Sequence, residues 1–295
     1  MRRRLTAVAL SGVAALVLSG CATPAGVDGN LIDDWAAVSE PEPFVPEADV
    51  CHLIYRDVGY LSSYQPVDCA EKHLVETVHV GTFTGESAAL AKPPVSGSPA
   101  RRAAWGECDK KASEVLGADW RSAMLGLTLV LPSPDGWSGG ARWFRCDLGE
   151  ALSLDNNMPR ERTGSLKGLL RETSPLSLGC FNAQLYDDYI MDIKPVDCDK
   201  PHDSEFAGIY LAPEQTWDAL EKSTKNLHRQ CRKIIAKYAK VPERTVEYRI
   251  GSVFYYPSET DWADGDRGVR CLLWDGDRKL IGSAKGAGAK VLPIG

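Results

Sequence analysis

The feature that most constrains this chain is a cysteine framework written twice. Setting Cys21 aside, eight cysteines remain, at 51, 69, 108 and 146 and then at 180, 198, 231 and 271. The intervals are 18, 39 and 38 residues in the first set and 18, 33 and 40 in the second. Other residues recur in the same order. "PVDCAEKH" (Pro66 to His73) and "PVDCDKPH" (Pro195 to His202) share Pro, Val, Asp, Cys and His. Three residues beyond each histidine stands Glu76 or Glu205. "PSPDGWSGGARWFRC" (Pro132 to Cys146) and "PSETDWADGDRGVRC" (Pro257 to Cys271) align without a gap, and "GSLKG" (164–168) is echoed by "GSAKG" (282–286). Ordered matches of this kind mark an internal repeat. The expected domains are 51–172 and 176–292, joined by a polar connection.

Residues 1–20 read as a leader removed from the mature protein. Arg2 to Arg4 form a basic start and Leu5 to Leu18 an apolar run too short to span a bilayer comfortably. The run ends in Leu18-Ser19-Gly20-Cys21, which resembles a bacterial lipobox. The expectation is therefore a lipoprotein, carried to the extracytoplasmic face of the cell membrane and held there by acyl chains on Cys21. Residues 21–50 are rich in proline and acids and read as a tether, with one short helix around "LIDDWAAV". Its acids would be repelled by an anionic surface and hold the body off the membrane.

Outside the cytoplasm an even number of cysteines points to disulfides. Four cysteines permit three pairings per repeat. The favoured set is Cys51–Cys69 and Cys108–Cys146, then Cys180–Cys198 and Cys231–Cys271. The first bond of each set would join neighbouring strands, and the second would tie a helix to the last strand. Strands are expected at "HLVETVHVGTF", "GLTLVLPS" and "ARWFRCDL", and at "SEFAGIYLAP", "VEYRIGSVFYYPS" and "RGVRCLLW". Trp217, Leu220, Leu227, Cys231, Ile234, Ile235 and Tyr238 fall on one helical stripe, as do Trp105, Cys108, Ala112 and Val115. The fold class is α+β: two tandem repeats, each a small antiparallel sheet with one packed helix.

Together these motifs resemble the septum-formation domain of actinobacterial membrane proteins and lipoproteins, in two copies. The family pattern places proline before the histidine. Pro201 keeps it and Lys72 departs from it. The resemblance implies an envelope location and a link to cell division, with no defined chemistry.

The residues themselves argue against catalysis. No nucleophile elbow, zinc-protease helix or phosphate loop occurs in the sequence. His73 and Glu76, or His202 and Glu205, lie three apart at a strand start and point to opposite faces, poorly placed to share a metal. No cofactor or metal is expected, and a net charge of −6 argues against nucleic acid as a partner. A single active site needs its residues once, whereas residues that build a fold recur in each copy. His73, Glu76, Arg142, His202, Glu205 and Arg267 all recur, so they read as structural. The alternative is a ligand patch displayed twice.

The expected role is a non-catalytic binding or scaffold lipoprotein that contacts another envelope protein, with the basic stretch from Arg160 to Arg171 available between the repeats. The competing role is a sensor or carrier for a small ligand or glycan bound between the repeats. Exposed faces of Trp143 or Trp274 would suit that role. A large cleft between the repeats favours the second role and a flat patch favours the first.

Overall fold

The structure is a computed structural model that describes residues 42–187 and 189–294. The leader, Cys21 and the tether as far as Pro41 lie outside the described residues. Residues 43–295 form one compact unit. It already includes the end of the expected tether, because Phe44 packs edge-on against Tyr64 at 4.8 Å. No helix among the described residues is long and apolar enough to cross a membrane.

The first half is built from β1 (Val50–His52), β2 (Val58–Gly59), β3 (Pro66–Val67), β4 (Val75–Thr82), α1 (Gly85–Ala88), α2 (Pro99–Leu116), β5 (Leu125–Pro132), α3 (Pro134–Ser138) and β6 (Trp143–Glu150). Its sheet order is β2-β5-β6-β4-β1-β3. The second half contains β7 (Cys180–Tyr186), β8 (Tyr189–Val196), β9 (Ser204–Leu211), α4 (Trp217–Glu221), α5 (Thr224–Ala239), β10 (Gly251–Tyr255), α6 (Glu259–Asp264) and β11 (Gly268–Trp274). Its sheet order is β10-β11-β9-β7-β8. The two sheets are built alike. β1, β3, β4, β5 and β6 correspond to β7, β8, β9, β10 and β11. Even the irregularities correspond: β4 bulges at Val78, between Thr77 and His79, and β9 bulges at Ala207, two residues past Glu205.

Each half buries one sheet face under its long helix. Trp105, Cys108, Ala112 and Leu116 of α2 meet Val78, Phe144, Cys146 and Leu148 in one core. Leu227, Cys231 and Ile235 of α5 are fully buried in the second half. Four disulfides pin these layers: Cys51–Cys69, Cys108–Cys146, Cys180–Cys198 and Cys231–Cys271. The first and third join a strand to the residue just past its neighbour. The second and fourth nail the helix to the central strand.

The structure departs from the sequence reading in three places. Residues Glu243–Tyr248 form a 3-10 turn after Pro242, so the strand expected over 246–258 shrinks to β10. The long helical stripe breaks at Ser223, whose hydroxyl bonds back to the carbonyl of Leu220 at 2.7 Å and ends α4. The first sheet is not wholly antiparallel, because β2 lies parallel to β5 at Leu131 and Pro132.

Candidate functional site

The repeated polar residues direct their hydrogen bonds at the chain itself. The His73 ring Nδ1 pairs with the carbonyl of Glu71 at 2.8 Å, and His202 Nδ1 with that of Lys200 at 2.8 Å. The turn before each is the same, with Glu71 N on Asp68 O and Lys200 N on Asp197 O, both at 2.9 Å. Lys72 in place of Pro201 leaves that turn unchanged and adds an exposed ion pair with Glu161. Buried Glu76 accepts from Ser165 Oγ at 2.7 Å and from the Leu166 amide at 2.6 Å. Buried Glu205 accepts from Ser283 Oγ, from the Ala284 amide at 2.8 Å and from Tyr238 Oη at 2.5 Å. Each glutamate thus clamps the G-S-x-x-G loop, whose first glycines have φ +83° and +81°. Such left-handed backbone is available to glycine at little strain.

Arg142 and Arg267 each lie over a buried tryptophan, Trp137 and Trp262, with 4.2 Å from guanidinium to ring centroid. Each also donates to that tryptophan's own carbonyl. Glu76 and Glu205 stand within 4.8 Å of a cysteine pair. Those sulfurs are joined in disulfides and the carboxylates are occupied, so the clusters are not metal ligand sets.

What occurs only once is the junction between the halves. Arg121, 4 % exposed, donates Nε and Nη2 to Asp266 of the second half at 2.9 and 2.6 Å. Burial works against its charge, but Asp266, Asp109 and Asp119 outweigh burial and raise its pKa. Arg270 crosses the other way and donates to the carbonyls of Arg121 and Leu125 at 2.9 and 3.0 Å. Burial lowers its pKa to about 10, which leaves it charged at neutral pH. Trp120 has Arg121 over its ring at 4.4 Å and Arg270 at 5.5 Å. Asp264 of α6 collects Ser96 Oγ, the Gly97 amide and Arg101 Nε, at 2.8, 2.9 and 2.6 Å.

Beside this junction lies a cleft of about 770 Å³ walled by both halves. The first half supplies Trp105, Trp120, the edge of β5 from Leu127 to Leu129, and the 154–158 loop. The second supplies Trp217, Phe254, Tyr255, Tyr256 and the start of α6. Trp217 meets Tyr256 edge-on at 5.6 Å, and Phe254 stacks on Tyr256 at 6.0 Å. Trp105 is 3 % exposed and its Nε1 has no partner among the described residues. Asp57, Asp155 and Asp261 line the same space and form no ion pair among the described residues. Burial pushes Asp261 up to about 6, opposed by the Ser258 hydroxyl and reinforced by Asp266 and Asp264. The volume is typical of small-molecule sites. Aromatic faces with unpaired carboxylates suit a ligand that is cationic or rich in hydrogen-bond donors.

A second feature is also built once. In the first half His52 Nε2 meets Thr77 Oγ1 at 3.0 Å, and Thr77 donates to Asp147 at 2.7 Å. Arg145 pairs with Asp147 at 2.9 Å. The equivalent positions in the second half are Phe181, Phe206 and Leu272, which are apolar. There they pack with Leu154 and Met124 of the first half. Burial, aided by Arg145, lowers the His52 pKa to about 4, so the ring is neutral.

Other positions singled out in the sequence fall elsewhere. Trp143 is buried, not exposed, because Phe44 and Gly59 close over it. Trp274 is half-buried, and neither ring lines the cleft. Within 160–171, Arg160 donates to Leu152 O and Arg162 to Gly164 O, so that stretch is partly tied down. Much of the cleft wall, including Leu127, Leu129, Phe254, Tyr255 and Tyr256, lies in no repeated motif, whereas Asp261 and Arg270 stand inside the repeated Pro257–Cys271 stretch. The legible signal was the reverse one, positions where otherwise matching copies disagree, such as His52 against Phe181.

The model of a family described as septum formation matches residues 48–271, which takes in most of both sheets. No curated protein and no solved structure matches the chain.

Proposed function

The chain belongs to the septum-formation family, and from that premise we propose that it is a non-catalytic binding lipoprotein of the cell envelope that takes its ligand in the cleft between its two halves. The family match links it to septum formation. The observation that carries the reading is the cleft itself, a space of about 770 Å³ that neither half encloses alone. A twofold-repeated scaffold whose recurring polar residues hold loops in place leaves the once-built junction as the place for recognition. In this reading Cys21 carries the lipid, residues 22–42 tether the body outside the cytoplasm, and the four disulfides suit that oxidising compartment.

The test is site-specific photocross-linking in native membranes. A photoreactive residue at Tyr256, in the cleft, should give a discrete adduct. The same residue at Ile281, which is 70 % exposed and does not line the cleft, should not. Adducts from Ile281 with none from Tyr256 would place the contact outside the cleft and refute the proposal.

A further inference from the structure

The backbone of β5 carries an unfilled row of hydrogen-bonding groups inside the cleft. In an antiparallel pair, alternate residues direct both N–H and C=O at the neighbouring strand, and the residues between direct theirs away. Three contacts fix the alternation on β5. The Ala151 amide, continuing β6, bonds to Met124 O at 3.0 Å, so the even-numbered residues face β6. The Leu131 amide faces the other way and bonds to Asp57 O, beside β2, at 3.4 Å. Leu125 O also faces away and accepts from Arg270 Nη2 at 3.0 Å. Leu127 and Leu129 lie between these two and point away from β6, into the cleft.

Their outward N–H and C=O groups have no partner among the described residues. Leu127 is 3 % exposed and Leu129 2 %. Backbone groups this enclosed are nearly always paired in folded proteins, because leaving one dry and unbonded is costly. The chain itself shows what fits this edge. Val58–Gly59 already pair with its far end as a short added strand. Beyond them no strand among the described residues pairs with the outward side of β5 along the stretch that lines the cleft.

We propose that the Leu127–Leu129 edge of β5 docks an extended, basic peptide segment of another envelope protein. The segment adds to the first sheet as a strand in line with β2 and sets its cationic side chains against Asp57, Asp155 and Asp261. This inference rests on the cleft being the ligand site and names its ligand. Main-chain pairing supplies affinity and side-chain pockets supply selection, as in other strand additions. The carboxylates give the sign of the charge. Tyr256 and Trp217 give faces on which lysine or arginine side chains can lie.

The test uses the full mature chain in detergent, with three blocked hexapeptides: alternating Lys and Val, the same peptide N-methylated on every second amide, and alternating Glu and Val. Binding is read by tryptophan fluorescence, and pairing by hydrogen exchange at the Leu127 and Leu129 amides. The Lys-Val peptide should slow exchange at both amides. N-methylation should weaken binding about tenfold or more, the equivalent of one or two lost hydrogen bonds. The Glu-Val peptide should not bind. Asp57→Lys with Asp155→Lys, at two exposed positions, should weaken the Lys-Val peptide about tenfold and leave the melting temperature unchanged. Equal affinity for the N-methylated peptide, or fluorescence change without protection of Leu127 and Leu129, overturns strand pairing while the cleft remains the ligand site. Binding of an N-acetylglucosamine trimer in place of the peptides would do the same. Silence from every probe, together with no adduct from Tyr256, overturns both proposals.

Discussion

Acid should destabilise the first half through one histidine. His52 is 1 % exposed, and its pKa is lowered from 6.5 to about 4, first by burial and then by the Arg145 charge. In the folded state the ring is neutral down to about pH 4, whereas in the unfolded chain it takes a proton below pH 6.5. Its contribution is therefore complete above pH 6.5 and is lost as pH falls toward 4. The full shift corresponds to about 3 kcal/mol, and about 2 kcal/mol of it is gone by pH 5. For a unit of this size that is a fall in melting temperature of roughly 4–8 °C. The perturbation that isolates it is His52→Phe, which copies the residue at the equivalent position, Phe181. His52 is met by Thr77, Arg145 and the Tyr64 ring, with Asp147 behind Thr77, and the variant keeps all four. Other titrations thus cancel in the comparison to first order. Thermal unfolding of both proteins from pH 7.5 to 4.5 should show curves that converge or cross as pH falls, with the wild type losing more. Parallel curves would refute the assignment of a neutral, buried His52.

Other outcomes follow from the same geometry. Removing Arg121 with Arg121→Met should leave Asp266 buried without its cation and destabilise the junction by about 3–5 kcal/mol, seen calorimetrically as one transition splitting into two. Replacing Cys108 and Cys146 by alanine opens a loop of 38 residues and should cost about 4 kcal/mol, against about 3 kcal/mol for the 18-residue loop of Cys51 and Cys69, measured by urea unfolding. Asp261 has its pKa raised to about 6, chiefly by burial, so its ionisation disfavours the fold above that pH and not below 3.8. Asp261→Asn should therefore gain stability relative to the wild type between pH 4 and 7, by about 1–3 kcal/mol in the same unfolding assay, and a flat difference across that range would be the contrary result.

Much of the scaffold was legible in the chain because its constraints are local and occur twice. Of the three pairings open to each repeat, strand and helix placement favoured Cys51–Cys69 and Cys108–Cys146, which form, and the second half repeats them. Pro132-Ser133 and Pro257-Ser258 end strands and start helices, since each serine caps the helix after it. The strand expected over 246–258 failed because Val246, though apolar, is buried by a 3-10 turn rather than by sheet pairing. A site between the repeats was one of the two roles the sequence suggested, but the lining of the cleft was not legible, because it arises from how Arg121, Asp266 and Arg270 dock one half on the other, over more than a hundred residues of chain. Repetition also draws attention to the wrong residues. His73, Glu76 and their counterparts are prominent because both halves need them to hold loops. Leu127 and Leu129 stand out in no motif, since what singles them out is the side of the strand on which their backbone groups lie.

That recognition resides in the once-built cleft, and not in the repeated polar residues, is tested most directly by septum formation in cells whose own copy of the gene is deleted. Trp217→Ala with Tyr256→Ala removes an aromatic wall that is only partly buried, so the variant should fold with its disulfides intact and reach the membrane. The expected result is a stable, correctly located protein that fails to restore septation. Full restoration by that variant would contradict the assignment of function to the cleft.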